Sequence, residues 1–292
     1  MWGRMCWGCP RVSRGAIIPT FIPIDDPADP RLDAYRDIRE RDLVGRRGLF
    51  VAEGETVLRV LAGQDRFRPV SVLIAPKRLE KLAPILDTLA DDVPVYLASQ
   101  PVLDGIVGFE LHRGILAIAE KPAPLTADDL LAGLPADALV MALVGISNHD
   151  NMGGLFRNAA GFGVDAVLLD STCCDPLYRK AIRVSVGGVL RVPFATLAEG
   201  EDLIGLLERH GFTPVALSPS GETALSRLSA LTRPALLLGA EGPGLPEATL
   251  ARCRTVSIPM APGFDSLNVA VAAGIALHAL RQGQTPKVSV PR

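Results

Sequence analysis

Apolar positions along this chain fall into short continuous runs separated by helix-spaced ones. Residues 48–52 (Gly-Leu-Phe-Val-Ala) read as a strand, and Glu53–Ala62 then places Val57, Leu58 and Leu61 on one face of a helix. The same reading gives a strand at Val70–Ile74, a helix at Leu79–Ala90 and strands at Val93–Leu97 and Gly114–Ala119. Together they predict an α/β unit of ordinary domain size. Residues 121–138, with Pro122, Pro124 and Pro135 among acidic residues, read as a linker that carries one short helix.

From Leu139 strand and helix alternate. Strands are expected at Val140–Val144, Ala166–Leu169, Thr213–Leu217, Ala235–Leu238 and Val256–Ile258. Helices are expected at Met152–Gly161, Leu177–Val186, Leu203–His210, Pro246–Ala251 and Leu267–Leu280. Runs such as Pro234-Ala-Leu-Leu-Leu are apolar at every position, the mark of a strand buried on both faces, so a parallel sheet covered by helices on either side is expected. Ligands of such sheets bind beyond the carboxyl ends of the strands.

Length and composition set the outer limits. At 292 residues the chain is long enough for two domains, and with 48% hydrophobic residues it has ample core. No apolar run approaches a membrane span. The formal net charge of −2 gives no global nucleic-acid signal, so an RNA partner would be held by local basic patches. Five cysteines, Cys6, Cys9, Cys173, Cys174 and Cys253, are an odd number and fit a reducing cytoplasm better than a disulfide framework. Cys6-Trp-Gly-Cys9 has no strand–turn–helix flanks and no second pair to complete a zinc site, and Cys173 and Cys174 read as core or loop residues. The first residues lack the apolar core of a signal peptide and read as a disordered extension, with Met5 or a later position as an alternative start.

Two common nucleotide-binding chemistries are disfavoured. No Gly-x-Gly-x-x-Gly opens a helix, and Gly242-Pro-Gly244 is not followed by Gly-Lys-Ser/Thr. Three other segments stand out at the expected strand ends. Residues 143–163 contain Asn151-Met-Gly-Gly-Leu-Phe-Arg157-Asn-Ala, residues 239–245 read Gly-Ala-Glu-Gly-Pro-Gly-Leu, and Ile258-Pro-Met260 precedes Ser266-Leu-Asn-Val, where Asp265 or Ser266 is placed to cap a helix of small residues.

In this order the segments resemble the three signature motifs of the SpoU (TrmH-like) RNA ribose 2′-O-methyltransferases of the SPOUT superfamily. The first resembles Asn-x-Gly-x-x-x-Arg-x-Ala, the second Gly-x-Glu-Gly-x-Gly-Leu, and the third Ile-Pro-Met followed by Ser-Leu-Asn-Val. The run Phe50-Val-Ala-Glu-Gly-Glu-Thr-Val is similar to the opening of the family's substrate-binding domain, which has the fold of ribosomal protein L30e. The resemblance implies an L30e-like RNA-binding domain at residues 31–120, after an extension at 1–30. A linker at 121–138, a trefoil-knotted SPOUT methyltransferase domain at 139–285 and a tail at 286–292 would follow. It implies a homodimer whose close contact suits the small residues around Val271–Ala276.

The implied cofactor is S-adenosylmethionine, held by Leu238, Gly239, Gly242, Ile258, Met260 and Leu267. Glycines allow close backbone approach, and the apolar side chains can sandwich an adenine. The implied catalytic set is Asn151, Arg157, Glu241, Ser266 and Asn268. The resemblance casts Arg157 as activator of the 2′-hydroxyl, yet arginine stays protonated in proteins, which favours binding of phosphate and orientation of the hydroxyl. Asn268 is placed to hold the loops together. Arg179, Lys180, Arg183 and Arg191 form the best basic cluster of this half, and the first three are expected to meet RNA phosphates, with a solvated helix face as the alternative. His149 has no required role. The loop Pro262–Asp265 and Ala270, where the family often has serine, depart from the pattern. The expected activity is methylation of rRNA or tRNA ribose, rRNA being favoured by the extra domain. The rivals are a non-catalytic RNA-binding protein on the same scaffold and a methyltransferase for a different RNA acceptor. The target nucleotide is not legible.

Overall fold

The computed structural model describes residues 20–36, 48–107, 114–264 and 266–282. Two sheets organise the chain. The first contains β1 (Phe21–Ile24), β2 (Leu49–Glu53), β3 (Pro69–Ile74), β4 (Val95–Ala98) and β5 (Ile115–Glu120), in the order β1-β4-β3-β5-β2. β1, β4 and β3 run parallel, while β5 is antiparallel to both β3 and β2. Both faces are covered, as the alternation of side chains shows. Val72 and Ile74 pack with the helices Glu55–Ala62 and Leu79–Leu86, whereas Leu73 between them packs with Leu32, Tyr35 and Leu103 on the other face.

β1 corrects the expected extension at residues 1–30. Phe21–Ile24 pairs in register with Val95–Ala98 and forms an edge strand. Pro23 hides the strand from pattern reading, yet an edge position tolerates it because one side of the strand needs no ladder bond. Residues 1–19, with Cys6 and Cys9, and the tail at 286–292 lie outside the described residues.

The second sheet holds β6 (Val140–Leu143), β7 (Ala166–Leu169), β8 (Phe194–Thr196), β9 (Thr213–Leu217), β10 (Thr223–Ala224), β11 (Pro234–Leu238) and β12 (Arg254–Ser257). Its order is β10-β12-β9-β11-β6-β7-β8, and every pairing is parallel. Met141, Val167 and Leu236 face the helices His149–Gly161 and Val269–Arg281. Val140, Leu168 and Leu237 face a second core with the helix Leu203–Arg209. The short helix expected in the linker is Ala127–Ala132, capped by the Thr126 hydroxyl on the Asp129 N–H at 3.1 Å. Its Ala127, Leu130 and Leu131 belong to that second core, so the later part of the linker is built into the parallel sheet.

The two units share one hydrophobic core, in which Phe50, Leu58 and Phe67 of the first join Phe156, Val189 and Leu190 of the second. Strand β2, at the edge of the first sheet, is covered by the helix Arg179–Val184. The expected helix at Leu177–Val186 is shorter, running over Arg179–Val184. Val186 and Gly187 take left-handed conformations (φ 54° and 80°), and a second short helix, Gly188–Arg191, follows. Strands β8 and β10, of three and two residues, are too short to show a period. No helix among the described residues is long and apolar enough to cross a membrane.

Candidate active site

The three motif segments meet at the carboxyl ends of neighbouring strands. The first begins after β6, the second after β11 and the third after β12, and β9 lies between the last two. The second and third segments, with the loop after β9, line a cleft of about 550 Å³. All six expected cofactor-binding residues, Leu238, Gly239, Gly242, Ile258, Met260 and Leu267, line it, together with Glu241, Ser266 and Asn268 of the expected catalytic set. Its apolar walls are completed by Leu217, Val269 and Ala272.

Asn268 ties the motifs together. Its amide Nδ2 donates to Asn151 Oδ1 at 2.9 Å and to Glu241 Oε1 at 3.1 Å, so one side chain from each motif meets at one point. Its Oδ1 accepts from the Ala270 and Val271 N–H groups and caps the helix Val269–Arg281. The cap is therefore Asn268, not Asp265 or Ser266. Asp265 lies outside the described residues, and Ser266 stands exposed in the cleft lining. With both amide hydrogens and the carbonyl oxygen engaged, Asn268 has little capacity left for a substrate.

Asn151 is 7% exposed on the first turn of the helix His149–Gly161, whose cap is Asn148. The glycines that follow it permit two close contacts. A Cβ at Gly153 would lie 2.7 Å from the Ala181 carbonyl oxygen and from Val184 Cβ, and one at Gly154 would lie 2.7 Å from Ala270 Cβ. The first motif helix is thereby packed between its two neighbours, and Asn158 adds a hydrogen bond to the Ala270 carbonyl. Ala270, small at this contact, suits the approach.

The second motif is a tight turn in which the Gly244 N–H donates to the Ala240 carbonyl at 3.0 Å. Two of its glycines are required for different reasons. A Cβ at Gly239 would sit 2.2 Å from the Gly244 carbonyl carbon, whereas Gly242 has open space around it but a φ of +87°.

Arg157 is exposed, does not line the cleft, and makes no hydrogen bond or ion pair among the described residues. The expected RNA-binding cluster is engaged in ion pairs. Lys180 Nζ lies 2.6 Å from Asp150, and Arg179 and Arg183 lie 3.7 and 3.6 Å from Glu53. His149 stacks on Tyr178 with ring centroids 4.6 Å apart, a packing role. Cys173 and Cys174 pack against the core, and burial pushes their thiols up to about 12 and about 11, far from the thiolate form that reacts.

Sequence reading missed the loop after β9. Leu217, Ser218, Pro219 and Ser220 line the cleft, and the Ser218 and Ser220 hydroxyls lie 3.0 Å apart. No motif marks these serines. Their only signal is position at the carboxyl end of a strand flanked by β11 and β12.

Residues 138–278 match the model of the SpoU rRNA Methylase family. An uncharacterized tRNA/rRNA methyltransferase of Mycobacterium bovis is 42% identical over 264 residues, covering 87% of this chain and 89% of its own. The 23S rRNA (guanosine-2′-O-)-methyltransferase RlmB of Ralstonia nicotianae is 33% identical over 183 residues, 62% of this chain and 74% of its own. Among solved structures, an AdoMet-bound rRNA methyltransferase from Sinorhizobium meliloti superposes with a TM-score of 0.78 at 22% identity, over 91% of this chain and 99% of that one, which speaks to the fold. With a relative 42% identical along most of both chains, and the family pattern running through the three loops that meet at Asn268, the chain belongs to the SpoU rRNA methylase family of RNA methyltransferases.

Proposed function

We propose that this chain transfers a methyl group from S-adenosylmethionine to a ribose 2′-hydroxyl of RNA, with ribosomal RNA as the substrate class. The observation that carries the reading is the convergence of Asn151, Glu241 and Asn268 at the edge of a cleft lined by the expected cofactor residues. The cleft suits this donor. Leu217, Leu238, Ile258, Met260 and Leu267 offer apolar walls for an adenine, and Ser218, Ser220 and Ser266 offer hydroxyls for the polar parts. The ribosomal assignment rests on the additional unit that precedes the parallel sheet and on the similarity to RlmB.

The bound donor supplies a methyl group on a positively charged sulfur, so the chain need not activate a leaving group. Its residues must align the 2′-hydroxyl and accommodate the proton it loses. Glu241, fixed through one oxygen by Asn268, is the carboxylate placed to orient that hydroxyl. A guanidinium is a poor proton acceptor, which favours a binding role for Arg157 over that of a base. Its exposed, unpaired fork is suited to a phosphate beside the reacting ribose.

A homodimer with the cleft near its interface belongs to the same reading. Leu267, Val271 and Ile275 are 37%, 54% and 42% exposed, and Leu267 belongs to both this apolar stripe and the cleft. The knotted topology and the L30e-like fold of the first unit are likewise part of the proposal; the return of the helix Val269–Arg281 onto β11 and the motif helix is consistent with the former. The cytoplasm, where such an RNA substrate resides, is the proposed location.

Incubation with methyl-labelled S-adenosylmethionine and protein-free rRNA, followed by nucleoside analysis, tests the reaction. Label in 2′-O-methyl nucleosides is expected. Label only in base-methylated nucleosides, or none, contradicts the reading. Arg157→Lys should lose nearly as much turnover as Arg157→Ala, about a hundredfold or more for a misplaced catalytic group, with donor affinity little changed. Near-full activity in Arg157→Lys would show that charge alone suffices.

A further inference from the structure

The helix Arg179–Val184 ends in a turn whose side chain the backbone does not explain. The Val186 N–H donates to the Arg183 carbonyl at 3.0 Å and the Gly187 N–H to the Ile182 carbonyl at 3.1 Å, the paired bonds of a Schellman cap. Such a cap needs a left-handed residue just past the helix end, and glycine adopts that conformation without a Cβ penalty. Here the position is held by Val186, at φ 54°, the one residue other than glycine with a positive φ among the described residues. A β-branched side chain is among the least suited to it. Both capping bonds are backbone bonds, which glycine would make equally well.

Burial does not offset the strain. Val186 is 38% exposed and joins none of the hydrophobic clusters formed among the described residues. Its neighbours hold it in place instead. A Cβ at Gly187 would lie 3.1 Å from Val60 of the first unit. One at Gly188 would lie 2.7 Å from the Phe156 carbonyl oxygen and 3.3 Å from Arg157 Cα. The turn is thereby wedged between the first unit and the stretch of motif helix that carries the exposed Arg157. Strained residues persist where their surroundings over-determine them, and they cluster at functional sites. This one presents an apolar side chain to solvent two residues from the close approach to Arg157.

We propose that Val186 is a substrate-contact residue of the RNA site. Its isopropyl group packs on the nucleoside next to the phosphate that Arg157 takes, an uncharged contact with the face of a base or sugar. The strained valine is retained for that contact, since glycine or asparagine would suit the cap better. This rests on the RNA-methyltransferase reading above, and it adds a residue from outside the three motif segments.

The experiment compares wild type, Val186→Gly and Val186→Asn as full chains. It measures melting temperature, S-adenosylmethionine affinity, and binding and methylation of protein-free 23S rRNA transcribed in vitro over a range of salt. Glycine and asparagine both accept the left-handed conformation, so neither variant should melt below wild type. Stability and RNA recognition should therefore part company. KM for RNA is expected to rise about three- to tenfold in both variants, the scale of a partly buried valine side chain, and to rise more than kcat falls. Donor affinity should stay the same. The slope of log K against log salt should also stay the same, because no phosphate contact is lost. A wild-type KM in either variant would overturn the proposal. So would a lowered melting temperature, which would make Val186 a packing residue. A salt slope reduced by about one would trace the effect to a displaced arginine and overturn it as well. Wild-type protein that binds no RNA would instead overturn the functional reading beneath it.

Discussion

The two flanks of the parallel sheet present their carboxyl ends to different fates. On one flank the loops after β9, β11 and β12 are built from glycine, serine and short turns, and they leave a cleft of about 550 Å³ held by a polar knot at Asn268. On the other, beyond β7 and β8, lies a cleft of about 420 Å³ lined by Cys173, Cys174, Leu177 and Phe194 together with Arg66, Phe67 and the Pro122–Leu125 segment. Arg66 lies over the Phe67 and Phe194 rings at 4.5 and 5.6 Å, donates to the Val189 and Val192 carbonyls, and its pKa is lowered to about 10 by burial. Both flanks keep a ligand-sized opening, but the first is lined by the glycine-rich and serine-bearing motif loops, and the second by side chains of both units. The sheet supplies equivalent positions, and loop chemistry sets what each opening presents.

The largest expected effect lies on the apolar flank. Phe67 is 1% exposed and meets Phe50 edge to face at 5.3 Å. Phe67→Ala should cost about 3–5 kcal/mol, the range for a large aromatic cut out of a core, read as a lower denaturation midpoint. At temperatures where the variant is folded, its affinity for S-adenosylmethionine should equal wild type. A parallel loss of affinity would mean that the two flanks are not separable. Asn268→Ala reverses the pattern. Loss of a helix cap and of two hydrogen bonds should cost about 1–3 kcal/mol of stability, while turnover falls far more because Asn151 and Glu241 lose their common anchor. Turnover near wild type would remove the knot from the account. The smallest effect is expected at Gly242, where open space leaves only the positive φ to penalise a side chain. Gly242→Ala should cost about 1–2 kcal/mol, and Gly239→Ala considerably more, because its Cβ would enter the Gly244 backbone. Equal melting temperatures for the two variants would contradict the distinction.

How much of this was legible in the sequence follows the same division. Strands β7 and β9 were readable to their boundaries because every position is apolar or bounded by polar turns. The cleft was readable because its glycines, Glu241 and Asn268 occur in recognisable runs at strand ends. Strand β1 was not, since Pro23 breaks the pattern and the strand depends on pairing with β4 and on burial of Ile24, both set by tertiary packing. Ser218 and Ser220 were not, because a serine pair after a strand carries no signal until its neighbours are known. The pairing of Glu53 with Arg179 and Arg183, and the shared core around Phe50 and Phe156, depend on how two units dock, which local periodicity does not encode. Arg157 was readable as a motif residue. Its exposed position outside the cleft was not.

The central claim is that the glycine-rich flank, held by Asn268, is the methyl-donor site. Calorimetric titration of S-adenosylmethionine into wild type, Gly239→Ala and Phe67→Ala tests it most directly, each protein being checked as folded at the temperature used. The account predicts saturable binding to wild type and Phe67→Ala with equal affinity, and a loss of at least tenfold in Gly239→Ala. Undiminished affinity in Gly239→Ala, or a selective loss in Phe67→Ala, would place the donor elsewhere and contradict the account.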